Sequence, residues 1–274
     1  MRYRVRMSTA DFSGNIERFT GFADLYNDCR PSPPSQLARL LTDLAGGATP
    51  RLVVDLGCGT GLSTRYWSGQ AERIIGVEPT AAMRAEAETV PTSGVSYQEG
   101  FSHATGLPDH CAQIVTAAQA LHWMDPEGTF QEARRILVPG GVFAAYDYDW
   151  PPVTGVWEVD SAYEECMRAA RLLEKEHAVD QQVRQWEKSG HLGRMKESGC
   201  FRYCREIVLH HIDQGDATRL LGLIQSQGYV NALQKRGLSD EQLGLDRLRE
   251  TFARHLDTEP RSWTWGSRVR FGIV

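Results

Sequence analysis

Apolar residues follow two periods along this chain, one typical of strands and the other of helices. Segments that are mostly apolar, or that alternate apolar with polar residues, predict strands at residues 51–56, 73–77, 95–99, 112–118, 142–146, 202–211 and 263–273. Apolar residues spaced three or four positions apart predict helices at residues 12–29, 35–44, 63–69, 80–90, 130–137 and 217–227, and from Ser239 onward. We expect the Ser35 hydroxyl to cap the second helix and residues 139–141 to form a tight turn.

Strands that alternate with helices indicate a mainly parallel sheet with helices on both faces. We therefore predict an α/β fold, a Rossmann-like doubly wound sheet of seven strands whose last strand is antiparallel. Prolines after the first helix and a helical stretch after the fifth strand interrupt the alternation. They divide the chain into an N-terminal helical arm (1–34), a ligand-binding core (35–149), a helical cap insertion (150–200), and the remaining core strands and helices (201–274).

Composition restricts the class of protein. The chain has 274 residues, of which 41% are hydrophobic and 24% are charged, as in an ordinary globular protein. A formal net charge of -5 gives no overall attraction to nucleic acid or to an anionic membrane, so we expect neither as a partner. Six cysteines without a CxxC pair predict reduced thiols and no metal site. With no apolar run for a membrane span or a signal peptide, we expect a cytoplasmic protein.

The strongest motif is the stretch VVDLGCGTG at residues 53–61, where a predicted strand runs into glycines. Glycines at a strand end allow the backbone to approach a ligand closely. The pattern differs from the dinucleotide fingerprint GxGxxG, because residue 62 is leucine. Asp55 places a carboxylate where it would repel a pyrophosphate and attract an ammonium or a sulfonium group. These charges point to S-adenosyl-L-methionine (SAM) as the ligand.

The stretch DLGCGTG resembles the class I SAM-dependent methyltransferases, and the resemblance covers roughly residues 20–147 and the closing strands. It implies that SAM is the cofactor and S-adenosyl-L-homocysteine (SAH) the product. Glu78 matches the family's acid for the ribose hydroxyls, and Met83 matches its residue beside adenine. The implied cofactor-binding residues are Asp55, Gly57, Cys58, Gly59, Thr60, Glu78, Met83, Ser102, His103, Ala118, Gln119 and Arg30.

Two further segments, QALHW at 119–123 and LVPGG at 137–141, are similar to a small-molecule subgroup that includes trans-aconitate methyltransferase. This similarity implies a small-molecule acceptor. Candidate acceptor-binding residues are Tyr26, Trp123, Trp150 and Trp157. His122, with its ordinary pKa of about 6.5, is the candidate general base. We expect the cap to determine acceptor specificity, with Arg30 clamping a carboxylate of the cofactor or of the substrate.

Several alternatives stay open at this stage. A carboxylate acceptor needs no base, whereas a hydroxyl, an amine or a carbon acid would use one. The residues that the motifs identify most directly all concern the cofactor, so a SAM- or SAH-binding protein without methyltransferase activity is a second hypothesis. An NAD-dependent reductase is a more distant one. The sequence determines neither the acceptor atom nor the oligomeric state.

Overall fold

The computed structural model describes residues 29–179, 184–256 and 259–274. Seven strands form one sheet: β1 Val53–Leu56, β2 Ile74–Val77, β3 Val95–Gln98, β4 Ala112–Ala118, β5 Leu137–Tyr148, β6 Tyr203–Gly215 and β7 Arg261–Ile273. Helices of the described residues are α1 Gln36–Leu44, α2 Leu62–Tyr66, α3 Ala81–Glu88, α4 Pro126–Ile136, α5 Trp157–Glu176, α6 His191–Glu197, α7 Ala217–Gln225, α8 Gly228–Lys235 and α9 Leu245–His255. Two 3₁₀ turns occupy Leu121–Trp123 and Lys188–Gly190.

The strand order is β3-β2-β1-β4-β5-β7-β6. Neighbours from β3 through β5 are parallel, and β7 pairs antiparallel with both β5 and β6. The predicted doubly wound sheet with an antiparallel last strand is therefore confirmed. Every residue of β1 and β2 is buried, since helices cover both faces of the sheet. This double burial explains why these strands appear in the sequence as uninterrupted apolar runs.

Helix α5 shares a hydrophobic core with the helices that follow β6. Val159 and Tyr163 of α5 are fully buried in one cluster with Leu220 of α7, Leu233 of α8 and Phe252 of α9. The predicted cap segment thus packs against the later part of the chain. The predicted boundary between the cap insertion (150–200) and residues 201–274 stays a prediction. Among the described residues, none of the helices has the length and the apolar run that crossing a membrane requires.

Some predicted element ends and caps are wrong, and a local hydrogen bond explains one of them. The Ser35 side chain makes no capping hydrogen bond. Helix α4 begins at Pro126, earlier than expected, because the Asp125 carboxylate accepts a hydrogen bond from the backbone N–H of Gly128. Residues 139–141 form no separate turn: β5 already begins at Leu137 and continues through them. Ser239 and Gln242 exchange hydrogen bonds between side chain and backbone, as at a helix start, but α9 begins only at Leu245.

Candidate cofactor site

A cavity lies at the carboxyl edge of the sheet, where parallel α/β folds bind their ligands. Loops that follow β1 through β4 and the end of β5 form its wall. The predicted site residues that line it are Arg30, Gly57, Cys58, Gly59, Thr60, Glu78, Met83, Ser102, His103, Ala118, Gln119 and Trp123. Asp55, His122, Trp150 and Trp157 are not among the lining residues, and Tyr26 lies outside the described residues.

The glycine loop after β1 holds left-handed backbone at Gly57, Gly59 and Gly61, with φ of 64°, 55° and 83°. L-residues with side chains rarely adopt this conformation, so the loop requires glycine. A Cβ added at Gly57 would lie 2.5 Å from Cε of Met124. A Cβ at Gly59 would meet no atom within 4 Å. Because Gly59 lines the cavity, this open space is room for a ligand against its backbone.

Glu78 connects the glycine loop to the loop after β2. Its carboxylate accepts hydrogen bonds from the backbone N–H of Gly59, at 3.1 Å, and of Thr80, at 3.0 Å. The residue is only 7% exposed, yet it lines the cavity. A carboxylate has about four lone-pair sites, so two acceptor positions stay available for ligand hydroxyl groups. Glu78 therefore fits the ribose of SAM, and the space at Gly59 fits a ligand seated against the loop.

Asp55 does not contact the cavity, contrary to the sequence-based prediction. Its side chain is fully buried and accepts hydrogen bonds from the hydroxyls of Ser63, Thr64 and Thr116, at 2.5, 2.8 and 2.8 Å. These bonds connect β1 to α2 and β4. Burial raises the pKa of Asp55, and the three hydroxyl donors counter part of that effect. Asp55 thus positions the glycine loop from inside the fold, where it contacts no ligand space.

The wall that extends from Glu78 carries groups suited to adenine. Met83 is buried there, and the Ser102 hydroxyl is hydrogen-bonded to the Thr129 hydroxyl at 2.8 Å. The His103 ring stacks on Phe101 with a centroid distance of 5.5 Å. Phe101 lines the cavity and was not predicted as a site residue.

Two candidate reactive side chains are poorly suited to proton or nucleophile chemistry. Burial raises the pKa of the Cys58 thiol well above its usual value, which keeps Cys58 neutral. His122 is 4% exposed and does not line the cavity. Burial, with the nearby Lys188, lowers the pKa of His122 well below 6.5, so the prediction of an ordinary pKa is wrong. Its Nδ1 lies 3.6 Å from Oδ1 of Asp147 without a hydrogen bond.

Of the predicted acceptor-binding tryptophans, Trp123 alone lines the cavity. The Trp150 ring packs 4.7 Å from the Arg30 guanidinium and 5.1 Å from the ring of Trp265. Trp157 is 73% exposed. Trp150 therefore packs against the lining residue Arg30, and Trp157 forms no part of the cavity wall.

Arg30 lines the cavity while its guanidinium donates to the Oγ and the carbonyl of Ser226, at 3.1 and 2.9 Å. Tyr148, at the end of β5, donates to the carbonyl of Pro31 at 3.0 Å and also lines the cavity. We did not predict Tyr148 as a site residue, because the apolar pattern of a buried strand does not show which residue at its end reaches a ligand.

A group of charges around the buried Asp147 and Arg270 lies beside this site. Asp147 pairs with Lys188 at 2.8 Å and with Arg270 at 3.0 Å, and Arg270 pairs with Glu206 at 2.7 Å. Lys188 also donates to Oε1 of Gln119 at 3.1 Å. Nothing in the local sequence around any of these residues indicates the group, because distant segments supply its members. No group of three or more His, Cys, Asp or Glu side chains in the described ranges could hold a metal ion.

Comparison with protein families bears on the part of the chain that builds this site. Residues 54–145 match the family model of a methyltransferase domain. That segment supplies the glycine loop, Glu78, Met83 and the end of β4. Together with the sheet order of the chain, this match indicates the Rossmann-like fold of methyltransferases, with SAM as the cofactor.

Individual relatives agree with the domain match. The “Probable S-adenosylmethionine-dependent methyltransferase” of Saccharomyces cerevisiae is 31% identical over 144 residues, which cover 50% of this chain and 49% of that protein. An uncharacterized methyltransferase of Mycobacterium tuberculosis is 33% identical over 117 residues, covering 42% of this chain and 46% of that one. The chain thus spans about half the length of the curated relatives it matches.

A solved structure extends the similarity beyond the domain. The “Putative Type II Methyltransferase” from Anaeromyxobacter dehalogenans superposes with a TM-score of 0.63 at 26% identity. The superposition covers 89% of this chain and 97% of that chain. The similarity of fold therefore extends beyond residues 54–145.

Proposed function

We propose that the protein transfers a methyl group from SAM to a small-molecule acceptor. The observation that supports this proposal most strongly is that Gly59 and Glu78 lie on one cavity wall, with open space at Gly59 and a buried carboxylate beside it. When bound, SAM would supply an electrophilic methyl group: an acceptor lone pair would bond to the methyl carbon in line with the methyl–sulfur bond, which would break as SAH leaves with its electron pair. The chain's own contribution is then chiefly binding, orientation and exclusion of water.

Each part of the wall has its own task in this proposal. Glu78 accepts hydrogen bonds from the ribose hydroxyls, and the glycine loop provides close backbone contact. Met83 and Phe101 provide apolar surface for adenine. Trp123 and Tyr148 cover the end of the cavity at β4 and β5, where they exclude water from the acceptor. None of these tasks requires a change of protonation state.

We propose a carboxylate as the acceptor. His122, the candidate general base, is absent from the lining, and its lowered pKa makes its imidazole a weak base. A carboxylate is already ionised at neutral pH and needs no base. Arg30 provides a cation on the cavity wall for such a substrate. The similarity of residues 119–123 and 137–141 to a small-molecule subgroup that includes trans-aconitate methyltransferase agrees with this choice.

A panel assay tests the proposal. The protein is incubated with SAM labelled in its methyl group and with small carboxylic acids, phenols or amines, and labelled product and SAH are both quantified. We expect equal amounts of SAH and methyl ester with a carboxylic acid, and neither with the Gly59→Val variant. SAH binding without transfer to any acceptor would favour a cofactor-binding protein without methyltransferase activity. Methylation of amines alone would contradict the carboxylate.

A further inference from the structure

Strand β6 forms one edge of the sheet. In the described part of the chain it pairs with β7 alone, and it is 13 residues long, whereas β3 at the opposite edge has four residues. The outward N–H and C=O groups of a long edge strand can pair with a further strand. Arg219 donates a hydrogen bond to the carbonyl of Gln214, so the free edge of β6 ends near Asp213.

The features by which monomeric proteins protect a long edge strand are missing from β6. Such strands usually contain proline or lysine, or a bulge interrupts their pairing. The sequence of β6, YCREIVLHHIDQG, contains neither residue, and its register with β7 is regular over all 13 residues. Glu206 pairs with Arg270 of its own chain at 2.7 Å. Asp213 pairs likewise with Arg219 at 2.6 Å, so a second strand could cover β6 without leaving either carboxylate unpaired.

One face of β6 also exposes apolar side chains. Successive side chains alternate between the two faces of a strand. Ile207 and Leu209 pack against a buried hydrophobic cluster on one face. Val208 and Ile212, on the other face, are 36% and 71% exposed. Of the eight large hydrophobic side chains that are exposed in the described ranges, these two and Tyr203 belong to this one strand, and covering such surface favours association.

The order of residues along β6 suits pairing with a second copy of the same strand. A two-fold axis requires that if residue i of one copy faces residue j of the other, then j also faces i. Antiparallel pairing centred on His210 places Ile212 opposite Val208 of the second copy, and the reverse, so apolar side chains meet twice. Asp213, the charged residue between positions 207 and 213, then faces Ile207 and no like charge.

We propose that the protein forms a homodimer in which the β6 strands of two copies pair antiparallel around His210. The two sheets then join into one continuous sheet across the two-fold axis. The pairing gives partners to the outward backbone groups of residues 207–213 and covers Val208 and Ile212 of both copies. The inference does not depend on the identity of the cofactor or of the acceptor.

Sedimentation equilibrium of the full chain over a range of micromolar concentrations tests the dimer and its surface. We expect wild type at twice the chain mass of 30.7 kDa. Ile212→Lys places on the edge strand a cation of the kind that prevents strand pairing in natural proteins. It should raise the dissociation constant of the dimer about a hundredfold or more, because both copies lose an apolar contact. Leu172→Lys is the matched control, since Leu172 of α5 is 63% exposed, and this variant should dimerise as wild type does.

Cysteine cross-linking tests the register. Residues directly opposite in an antiparallel pair have Cα atoms about 4.5–5.5 Å apart, within the range of a disulfide. His210→Cys should therefore form an intermolecular disulfide under mild oxidation. Val208→Cys should not, because the two copies of residue 208 would lie about 14 Å apart along the strands. Wild type, which already has the partly buried Cys204 on β6, is the control and should stay free of cross-links.

Each result decides all or part of the inference. A wild-type chain that stays monomeric at all these concentrations overturns it, and a dimer that Ile212→Lys leaves intact must use another surface. Equal weakening by Ile212→Lys and Leu172→Lys contradicts the assignment to β6. Cross-linking of Val208→Cys without that of His210→Cys removes the register centred on His210. Thermal melting checks each variant, and Val208→Lys repeats the test if Ile212→Lys melts well below Leu172→Lys.

Discussion

Replacing Gly59 by alanine separates the cost of backbone strain from the cost of filling the ligand space. At φ of 55° an L-residue pays about 1–2 kcal/mol for left-handed backbone. The added methyl meets no protein atom within 4 Å, so the fold pays no further steric cost. That methyl projects into the cavity, however, where a bound cofactor would lie against the loop.

Gly199→Ala provides a matched control. Gly199 has φ of 65°, a Cβ there would likewise meet no atom within 4 Å, and the residue is exposed on the turn after α6. Both variants should therefore melt a few degrees below wild type. Only Gly59→Ala should lose cofactor affinity, because forcing a methyl into a filled site costs about 1–3 kcal/mol, or about 5- to 150-fold in affinity.

The assay is calorimetric titration of SAH into wild type and both variants, together with thermal melting of each. Equal melting temperatures for the two variants with a loss of SAH affinity in Gly59→Ala alone would support the assigned cavity wall. If Gly59→Ala bound SAH as tightly as Gly199→Ala does, the reasoning that seats the cofactor against this loop would be refuted.

Three further predictions concern single side chains. Glu78→Ala should weaken SAH binding at least about tenfold, because a carboxylate loses its charge-assisted hydrogen bonds to the ribose; unchanged calorimetric affinity in a folded variant would remove that assignment. Asp55→Ala should lower the free energy of unfolding by about 3 kcal/mol or more, because three hydroxyls lose their buried acceptor; a loss below about 1 kcal/mol in urea unfolding would contradict its structural role. Burial lowers the pKa of His191 from 6.5 to about 4, so its unfolded form binds a proton in that window and stability should fall as pH drops from 6.5 to 4. Urea unfolding of His191→Asn should show a weaker pH dependence over the same window, and an identical dependence would contradict this prediction.

The strands were predictable because the core imposes a local signature on them. Residues 112–118 form β4 as predicted, and β1 and β2 lie within their predicted ranges, since strands buried on both faces contain almost only apolar residues. Element ends were less predictable. The start of α4 depends on one hydrogen bond from Gly128 to Asp125, and the start of β5 depends on pairing of its first residues with distant parts of the chain.

The cofactor side of the site was predictable for a related reason. Parallel strands place their carboxyl ends at one edge, so residues that directly follow β1, β2 and β4 meet there whatever the connections are. Asp55 was misplaced because a motif shows spacing and does not show that three hydroxyls face the carboxylate from inside the fold. Lys188 was missed because it is 69 residues from Gln119 in the sequence. Only the tertiary structure brings them together.

The central claim is that this cavity binds SAM. Its most direct test is calorimetric titration of the full chain with SAH and, separately, with NAD. The account predicts that SAH saturates one site per chain and that NAD gives no binding heat, since residue 62 is leucine where the dinucleotide fingerprint has glycine. Binding of NAD, or the absence of SAH binding by a folded protein, would contradict it.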